Sequence, residues 1–252
     1  MCRITSANTL WLRGYPAQAL KRVEEALHAS QTLSHPSTHV LVLWWGGFVY
    51  QCCHEALIAQ EWAQEMVRLS REQKYEMFEV TGNFQQSCLL AMQGHTTYSI
   101  EQMHHGFTAV QAMGGKSNFS SLLALLANAY RTVGQTAPGL AVLDEALVHV
   151  EHTGERHYEA EIHRLKGELL LQLSSDNHAE AETCFHQALG VARRQQAKSW
   201  ELRAAMSLGR LWQRQGKRDA ARQVLAEVYG WFTEGFDTAD LQEAKALLEA
   251  LG

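Results

Sequence analysis

A small residue recurs along this chain at a nearly constant interval. Ala7, Gly47, Ser87, Ala127, Gly167 and Gly209 stand 40, 40, 40, 40 and 42 residues apart. Three further columns keep the same register: Gly14, His54, Gly94, Gly134, Asp176, Gly216; then Ala19, Ala59, Ser99, Gly139, Ala181, Ala221; then Ala26, Met66, Gly106, Ala146, Ala188, Val228. Four columns in step over six copies define an internal repeat. A unit of this length cannot enclose a core alone, so it must stack on its neighbours.

The fourth copy shows what the unit is. Leu123, Leu126, Ala127 and Tyr130 follow helical spacing and share one face. Gly134 then breaks the helix, since glycine enters the left-handed conformation without a Cβ penalty. Leu140, Leu143, Ala146, Leu147 and Val150 form the stripe of a second helix, which Gly154 ends. The sixth copy repeats the scheme with Leu208, Gly209 and Trp212, the turn at Gly216, and then Ala221, Leu225 and Val228. Helices in a hairpin approach to about 8–10 Å, so small residues at the contact let the backbones close up. The aligned large positions Leu10, Tyr50, Leu90, Tyr130, Leu170 and Trp212 are expected in the core, as are Val23, Ala63, Met103, Leu143, Phe185 and Leu225. The small-residue column is expected to mark the seam within each pair.

These positions carry a resemblance. A small residue after an aliphatic one, an aromatic three residues on, and alanines at set places in the second helix resemble the tetratricopeptide repeat (TPR). Here they are Leu126-Ala127, Tyr130, Gly139, Leu143 and Ala146, and again Leu208-Gly209, Trp212, Ala221, Leu225 and Val228. The chain departs from that family in its period, about 40 rather than 34, and in lacking the proline that often closes the motif. The long form resembles the C-terminal helical repeats of bacterial signalling ATPases. Glu161–Leu171 and Glu201–Ala239 look most like the tails of adenylate/guanylate cyclase–ATPase fusions. The resemblance implies an all-α, right-handed α-α superhelix, a TPR-like solenoid of six helix pairs plus a closing helix. The expected repeats are 1–34, 35–74, 75–115, 116–155, 156–197 and 198–235, with the closing helix over 238–251, all in one domain.

The two ends differ. Met1 falls inside the first helix, and nothing upstream covers Ile4, Leu10 and Trp11, so the expectation is a longer natural chain or an internal start. At the other end, Asp237 or Thr238 is placed to cap a last helix, with Asp240 in its first turn and Leu241, Ala244, Leu247, Leu248 and Leu251 on one face.

Composition excludes several classes. A net charge of −5 with 19% charged residues is not that of a globally basic nucleic-acid binder. The longest apolar run, Val40–Tyr50, is about half of the roughly 20 residues a membrane span needs. No signal-type apolar segment follows Met1, and five cysteines set within helical patterns suit a reduced, cytoplasmic chain. Gly114-Gly115-Lys116-Ser117 imitates the end of a phosphate-binding loop, but Val110 stands where that motif needs glycine, and a helix precedes it instead of a strand. His104-His105 and His149-x-x-His152 lack a Cys or carboxylate at metal-ligand spacing. No GxSxG occurs. The expectation is therefore a non-catalytic domain without cofactor or metal.

Two features point to partners instead. Between Arg193 and Arg222 nine basic residues face only Glu201 and Asp219, which reads as a solvated last repeat or a dock for an acidic partner. Nucleic acid is disfavoured there by the lack of a reading-helix motif. In tetratricopeptide-like arrays the first helices line the concave surface. Projected onto that geometry, copies two and three present Trp44, Phe48, Phe84, Cys88 and Met92, and copies four to six present Asn128, Arg131, Arg164, Glu168, Arg203 and Arg210. Apolar anchors beside an Arg/Asn row suit a peptide that carries a carboxylate, because arginine meets a carboxylate as a planar fork. Arg131→Ala and Arg164→Ala are expected to weaken a cognate peptide without lowering the melting temperature. The favoured context is the sensor tail of a signalling ATPase or cyclase. A free-standing adaptor for a peptide or protein and the inducer-sensing domain of a transcription regulator are the alternatives.

Overall fold

The structure is a computed structural model that describes the backbone of residues 2–33, 35–94, 96–114 and 118–252. Among these residues there are thirteen α-helices and no strand. They fall into six consecutive pairs: α1 (Cys2–Leu12) with α2 (Pro16–Thr32), α3 (Pro36–Cys52) with α4 (Ala56–Gln73), α5 (Glu76–Met92) with α6 (Thr96–Ala112), α7 (Phe119–Thr132) with α8 (Thr136–Thr153), α9 (Glu159–Leu173) with α10 (His178–Gln195), and α11 (Lys198–Arg214) with α12 (Arg218–Tyr229). The last helix, α13 (Ala239–Leu251), packs on α11 and α12. The chain forms two compact units, one of Met1–Trp11 with Tyr15–Lys116 and the other of Leu12–Gly14 with Ser117–Gly252. No helix among the described residues is long and apolar enough to cross a membrane.

The columns become the core. Val23, Ala63, Met103, Leu143, Phe185 and Leu225 are all fully enclosed, as are Ala19, Ala59, Ser99, Ala181 and Ala221. The other large column divides. Tyr50, Tyr130 and Leu170 are buried, whereas Leu10, Leu90 and Trp212 are half-buried. Trp212 keeps to the edge because its indole N–H donates to Glu182 Oε1 at 2.7 Å. At the start of the chain, Ile4 and Trp11 are buried, contrary to the expectation that they lack cover.

The small-residue column does not mark a single seam. A Cβ on Gly167 would stand 2.5 Å from Phe185 Cε1, so this glycine is the contact within the α9–α10 pair. A Cβ on Gly47 would instead meet Gln85 Nε2 of the next pair at 2.8 Å. At Gly209 the nearest atoms, Leu247 Cδ2 and the Ala221 carbonyl oxygen, lie at 3.7 and 3.8 Å.

Turns repeat one chemical device. The residue at the helix end is left-handed at Gly14, His54, Gly94, Gly134 and Gly216, and again between pairs at Lys74, Gly114, Gly154 and Gln196, whereas α12 ends at the right-handed Gly230. The next amide reaches back to close the turn: Tyr15 N–H donates to Leu10 O at 2.9 Å, Glu55 to Tyr50 at 2.9 Å, Gln135 to Tyr130 at 3.0 Å and Lys217 to Trp212 at 2.9 Å. This is the Schellman closure of a helix end. The fifth copy, where the two extra residues fall, does it differently. A 3-10 turn at Ser175–Asn177 replaces the left-handed residue, and the Asn177 side-chain amide donates to Leu170 O at 3.1 Å. Asp176 can therefore stand in a column otherwise made mostly of glycine.

Lys74 and Gln196 adopt the left-handed conformation at φ 58 and 55° while carrying a Cβ. For an L-residue this costs about 1–2 kcal/mol, partly offset by the greater unfolded-chain freedom of glycine. Lys74→Gly and Gln196→Gly are each expected to raise the free energy of unfolding by about 0.5–1 kcal/mol. Urea denaturation followed by helical signal checks this, and a loss of stability at both positions would contradict it.

Candidate partner-binding site

First helices of successive pairs touch directly, α3 with α5 in one unit, and α7 with α9, α9 with α11 and α11 with α13 in the other. The residues expected to meet a partner lie on these rows.

In the first unit, Trp44 of α3 is half-buried, with its ring 5.1 Å from Trp45 and 6.0 Å, edge-on, from Phe78 of α5. Phe48, one turn on, is also half-buried. Phe84 is not at the surface. It is enclosed, and its Cβ fills the space above Gly106, where an added methyl would meet it at 3.3 Å. Cys88 is likewise buried, which raises its thiol pKa well above the ordinary value. Large aromatic and thiol side chains on the pair-facing side of α5 are drawn under α6 by the apolar area this removes from water. Between α3 and α5 lie two buried amides. Gln51 Nε2 donates to Met92 Sδ at 3.7 Å, while Gln51 Oε1 and both polar atoms of Gln85 have no partner among the described residues.

In the second unit the arginines separate by role. Arg164 of α9 forks onto buried Glu161, Nε donating to Oε2 at 2.7 Å and Nη2 to Oε1 at 2.8 Å. Its Nη1 donates to Glu168 Oε1 at 3.4 Å and to Ser207 Oγ of α11 at 3.3 Å, and that hydroxyl donates to Glu168 Oε1 at 2.6 Å. The carboxylates hold the guanidinium pKa above its usual value despite burial, which acts the other way. Arg203 donates to Asp240 Oδ2 of α13 at 2.9 Å and lies 5.2 Å over the Trp200 ring. Arg210 pairs with Glu243 of α13. Arg131 is half-buried at the end of α7, and its Nε donates to Asn128 Oδ1 at 3.0 Å. Burial, followed by the like charge of Arg164, lowers its pKa, and Glu168 and Glu161 oppose the shift.

The partners of Arg164, Arg203 and Arg210 escaped the sequence reading. One signal for Arg164 was present, since Glu161 and Glu168 stand three before and four after it, the spacing at which helix side chains meet. Asp240 and Glu243 offered no such local signal, being 37 and 33 residues from their arginines. Thr238 stands at the N-cap of α13 but makes no side-chain cap bond, its hydroxyl donating to Gly235 O at 2.6 Å; Asp240 lies in the first turn as expected and is engaged by Arg203.

Five of the nine basic residues of the run meet carboxylates. Arg193 and Lys198 both donate to buried Glu201, at 2.8 and 2.6 Å, and Lys217 lies 3.7 Å from Glu182. Arg203 and Arg210 are engaged by α13, while Arg194, Arg214, Arg218 and Arg222 are exposed. Of the phosphate-loop-like stretch, Gly115–Ser117 lies outside the described residues, and Gly114 is a left-handed turn residue. Among the described residues no three His, Cys, Asp or Glu side chains converge as a metal site. Glu155, just after α8, instead caps α7, accepting from Asn118 N–H at 2.9 Å, Ser120 N–H at 3.2 Å and Ser120 Oγ at 2.5 Å.

Two histidines of this unit make it sensitive to acid. Desolvation lowers the pKa of His157 and His163 below the ordinary value, with Glu155 opposing at the first and Glu159 at the second. His163 Nδ1 is buried without a partner among the described residues, and Lys166 and Arg194 add repulsion to its charged form. The unfolded chain then binds more protons than the folded one as pH falls through about 6.5, so stability declines with acidification. Urea midpoints should fall between pH 7.5 and 5.5, and His163→Gln should flatten the slope. A midpoint that rises on acidification would contradict this.

No protein-family model matches the sequence, and no curated protein sequence does. Solved structures do. The chain has the fold of tetratricopeptide-like repeat proteins. A crystal structure of NprR in complex with its cognate peptide NprX matches 99% of this chain and 70% of its own, at 12% identity and TM-score 0.69. A Rap protein complexed with Competence and Sporulation Factor matches 99% and 73%, at 14% identity and TM-score 0.72. A signal transduction ATPase with numerous domains (STAND) from Pyrococcus horikoshii, with a tetratricopeptide repeat sensor, matches 99% of this chain at 13% identity and TM-score 0.56. This chain spans 38% of that protein.

Proposed function

We propose that this chain is a non-catalytic interaction and sensor domain that binds a peptide or protein segment on the first helices within one of its two units. The observation that carries this reading is the surface of those helices. Half-buried aromatics, Trp44 and Phe48, stand on α3, and the half-buried polar pair Asn128 and Arg131 stands on α7. Partly exposed aromatic and arginine side chains on a rigid helical frame are what hot spots of recognition are made of. The reading is supported by two structures of the same fold, NprR in complex with its cognate peptide NprX and a Rap protein complexed with Competence and Sporulation Factor. Phe84 belongs to the frame of the first unit, and Arg164, Glu168, Arg203 and Arg210 to the frame of the second.

The parent context that fits best is the tail of a multidomain bacterial signalling ATPase or nucleotide cyclase, acting in the cytoplasm. Support comes from the resemblance of Glu161–Leu171 and Glu201–Ala239 to such tails and from the fold shared with the repeat sensor of the STAND protein. A free-standing adaptor is the second reading, favoured by the 70% and 73% of NprR and Rap that this fold covers.

The test is selection of peptides from a random display library on the purified chain, then photo-crosslinking of the selected peptides. Saturable binding and crosslinks confined to the first helices of one unit, α3 and α5 or else α7, α9 and α11, are expected. Failure to select any peptide, or crosslinks confined to the second helices, overturns the reading.

A further inference from the structure

Independently of any bound peptide, we propose that Met92, the last residue of α5, is a site of reversible oxidation, and that buried Gln51 of α3 receives the sulfoxide oxygen. An oxidant must touch the sulfur, and Met92 is within reach at 39% exposed. Met66 and Met103 are fully enclosed and Met206 is buried. Among the described side chains the other accessible methionines are Met113, 40% exposed, and half-buried Met77.

What sets Met92 apart is its neighbour. Gln51 Nε2 donates to Met92 Sδ at 3.7 Å. Gln51 is itself buried, and its Oε1 has no partner among the described residues. A thioether sulfur accepts only weakly, so this amide is poorly satisfied at both ends. A buried polar group in that state is costly, and a stronger acceptor relieves the cost.

Oxidation supplies that acceptor. A lone pair of the Met92 sulfur attacks one oxygen of a hydroperoxide, forming an S–O bond as the O–O bond breaks. The sulfur loses two electrons and the peroxide gains them. The proton on the transferred oxygen passes to the departing one, which leaves as water when the oxidant is hydrogen peroxide. Three rotatable bonds in the side chain let the new oxygen turn toward Gln51 Nε2. A sulfoxide in an apolar core disrupts packing. Met92 already keeps part of its surface in water, and its sulfur already faces a buried donor. The modification therefore adds a polar group beside α3 and α5 without unfolding them, and reduction of the sulfoxide restores the thioether.

The test uses the full chain carrying Met77→Leu and Met113→Leu, which leaves Met92 as the accessible thioether among the described side chains. Dilute hydrogen peroxide is added, and peptide mass spectrometry follows the gain of one oxygen. Met92 is expected to be oxidised well before Met66, Met103 and Met206. The Gln51 side-chain N–H signals, assigned by their loss in Gln51→Leu, are followed in a ¹H–¹⁵N spectrum. They should move downfield as Met92 is oxidised and return on treatment with methionine sulfoxide reductases for both epimers. Oxidation should lower the urea midpoint less in this chain than in Gln51→Leu, a difference of about 2–10-fold in the folding equilibrium constant. Should Gln51→Leu fail to fold, Met92→Leu is the control, in which peroxide should leave the Gln51 signals and the midpoint in place. Oxidation of Met92 no faster than that of the enclosed methionines, Gln51 signals that stay put or that move equally in Met92→Leu, or an equal or larger loss of midpoint with Gln51 present overturns the proposal.

Discussion

Arg164→Ala is expected to lower the stability of the second unit by about 3–5 kcal/mol, read from urea denaturation. The guanidinium is 15% exposed, and Glu161 beneath it is 9% exposed at the side chain. Removing the cation strands Glu161 in a medium that solvates it poorly. The cost is the burial of an uncompensated charge, which exceeds the net contribution of the pair when both partners are present. The change also takes from Glu168 and Ser207 a donor that ties α9 to α11. Arg164→Lys keeps the charge but loses the fork, so it should recover part of the loss and remain well below wild type. Arg131→Ala is the contrast. It removes one bond to Asn128 and relieves a desolvated cation, so its effect should stay within about 1 kcal/mol. From sequence both substitutions are expected to be silent in stability, and the structure divides them. A loss under 1 kcal/mol at Arg164 would falsify the account of a buried, obligatory pair.

Gly167→Ala and Gly209→Ala are expected to shift stability in opposite directions, although the two glycines occupy the same column of the repeat. Inside a helix, alanine is favoured over glycine by about 1 kcal/mol. At Gly209 nothing opposes that gain, because the nearest atoms to a new Cβ are 3.7 Å away. Stability should rise by up to about 1 kcal/mol. At Gly167 the new methyl would lie 2.5 Å from Cε1 and 2.9 Å from Cδ1 and Cζ of Phe185. The ring is fully enclosed, so relief requires moving α9 from α10. Overpacking of this kind costs about 1–3 kcal/mol or more, which outweighs the propensity gain. Denaturant midpoints of the two variants check the pair. Equal shifts would show that the column has one packing role after all.

The repeat carried much of the fold in plain sight. Column positions such as Val23, Phe185 and Leu225 could be placed in the core from spacing alone, because a period of 40 forces the same face inward in every copy. The fifth turn was marked by its two extra residues at Ser174–His178, but not its solution. Asn177 reaches the Leu170 carbonyl with a side chain, and no backbone rule anticipates that. The candidate site was legible as a set of residue types, and its selection was not. Trp44 and Phe84 are both aromatics on first helices of neighbouring copies, yet one keeps a half-exposed edge and the other lies under Gly106.

By itself, then, the sequence determined the unit, its length, the turns and the stripe that each helix buries, because these follow from local periodicity and from which residues tolerate a left-handed backbone. Only the tertiary structure decided which charges remain available. Arg203 and Arg210 find Asp240 and Glu243 more than thirty residues away on α13, and Arg164 is absorbed by its own helix together with Ser207 of the next pair. Pairing of charges depends on distances of a few ångströms between segments that stacking brings together, and helical periodicity holds no record of them. Of the four arginines expected at the site, Arg131 is the one without a carboxylate at ion-pair distance among the described residues, and stacking of the helices decided that.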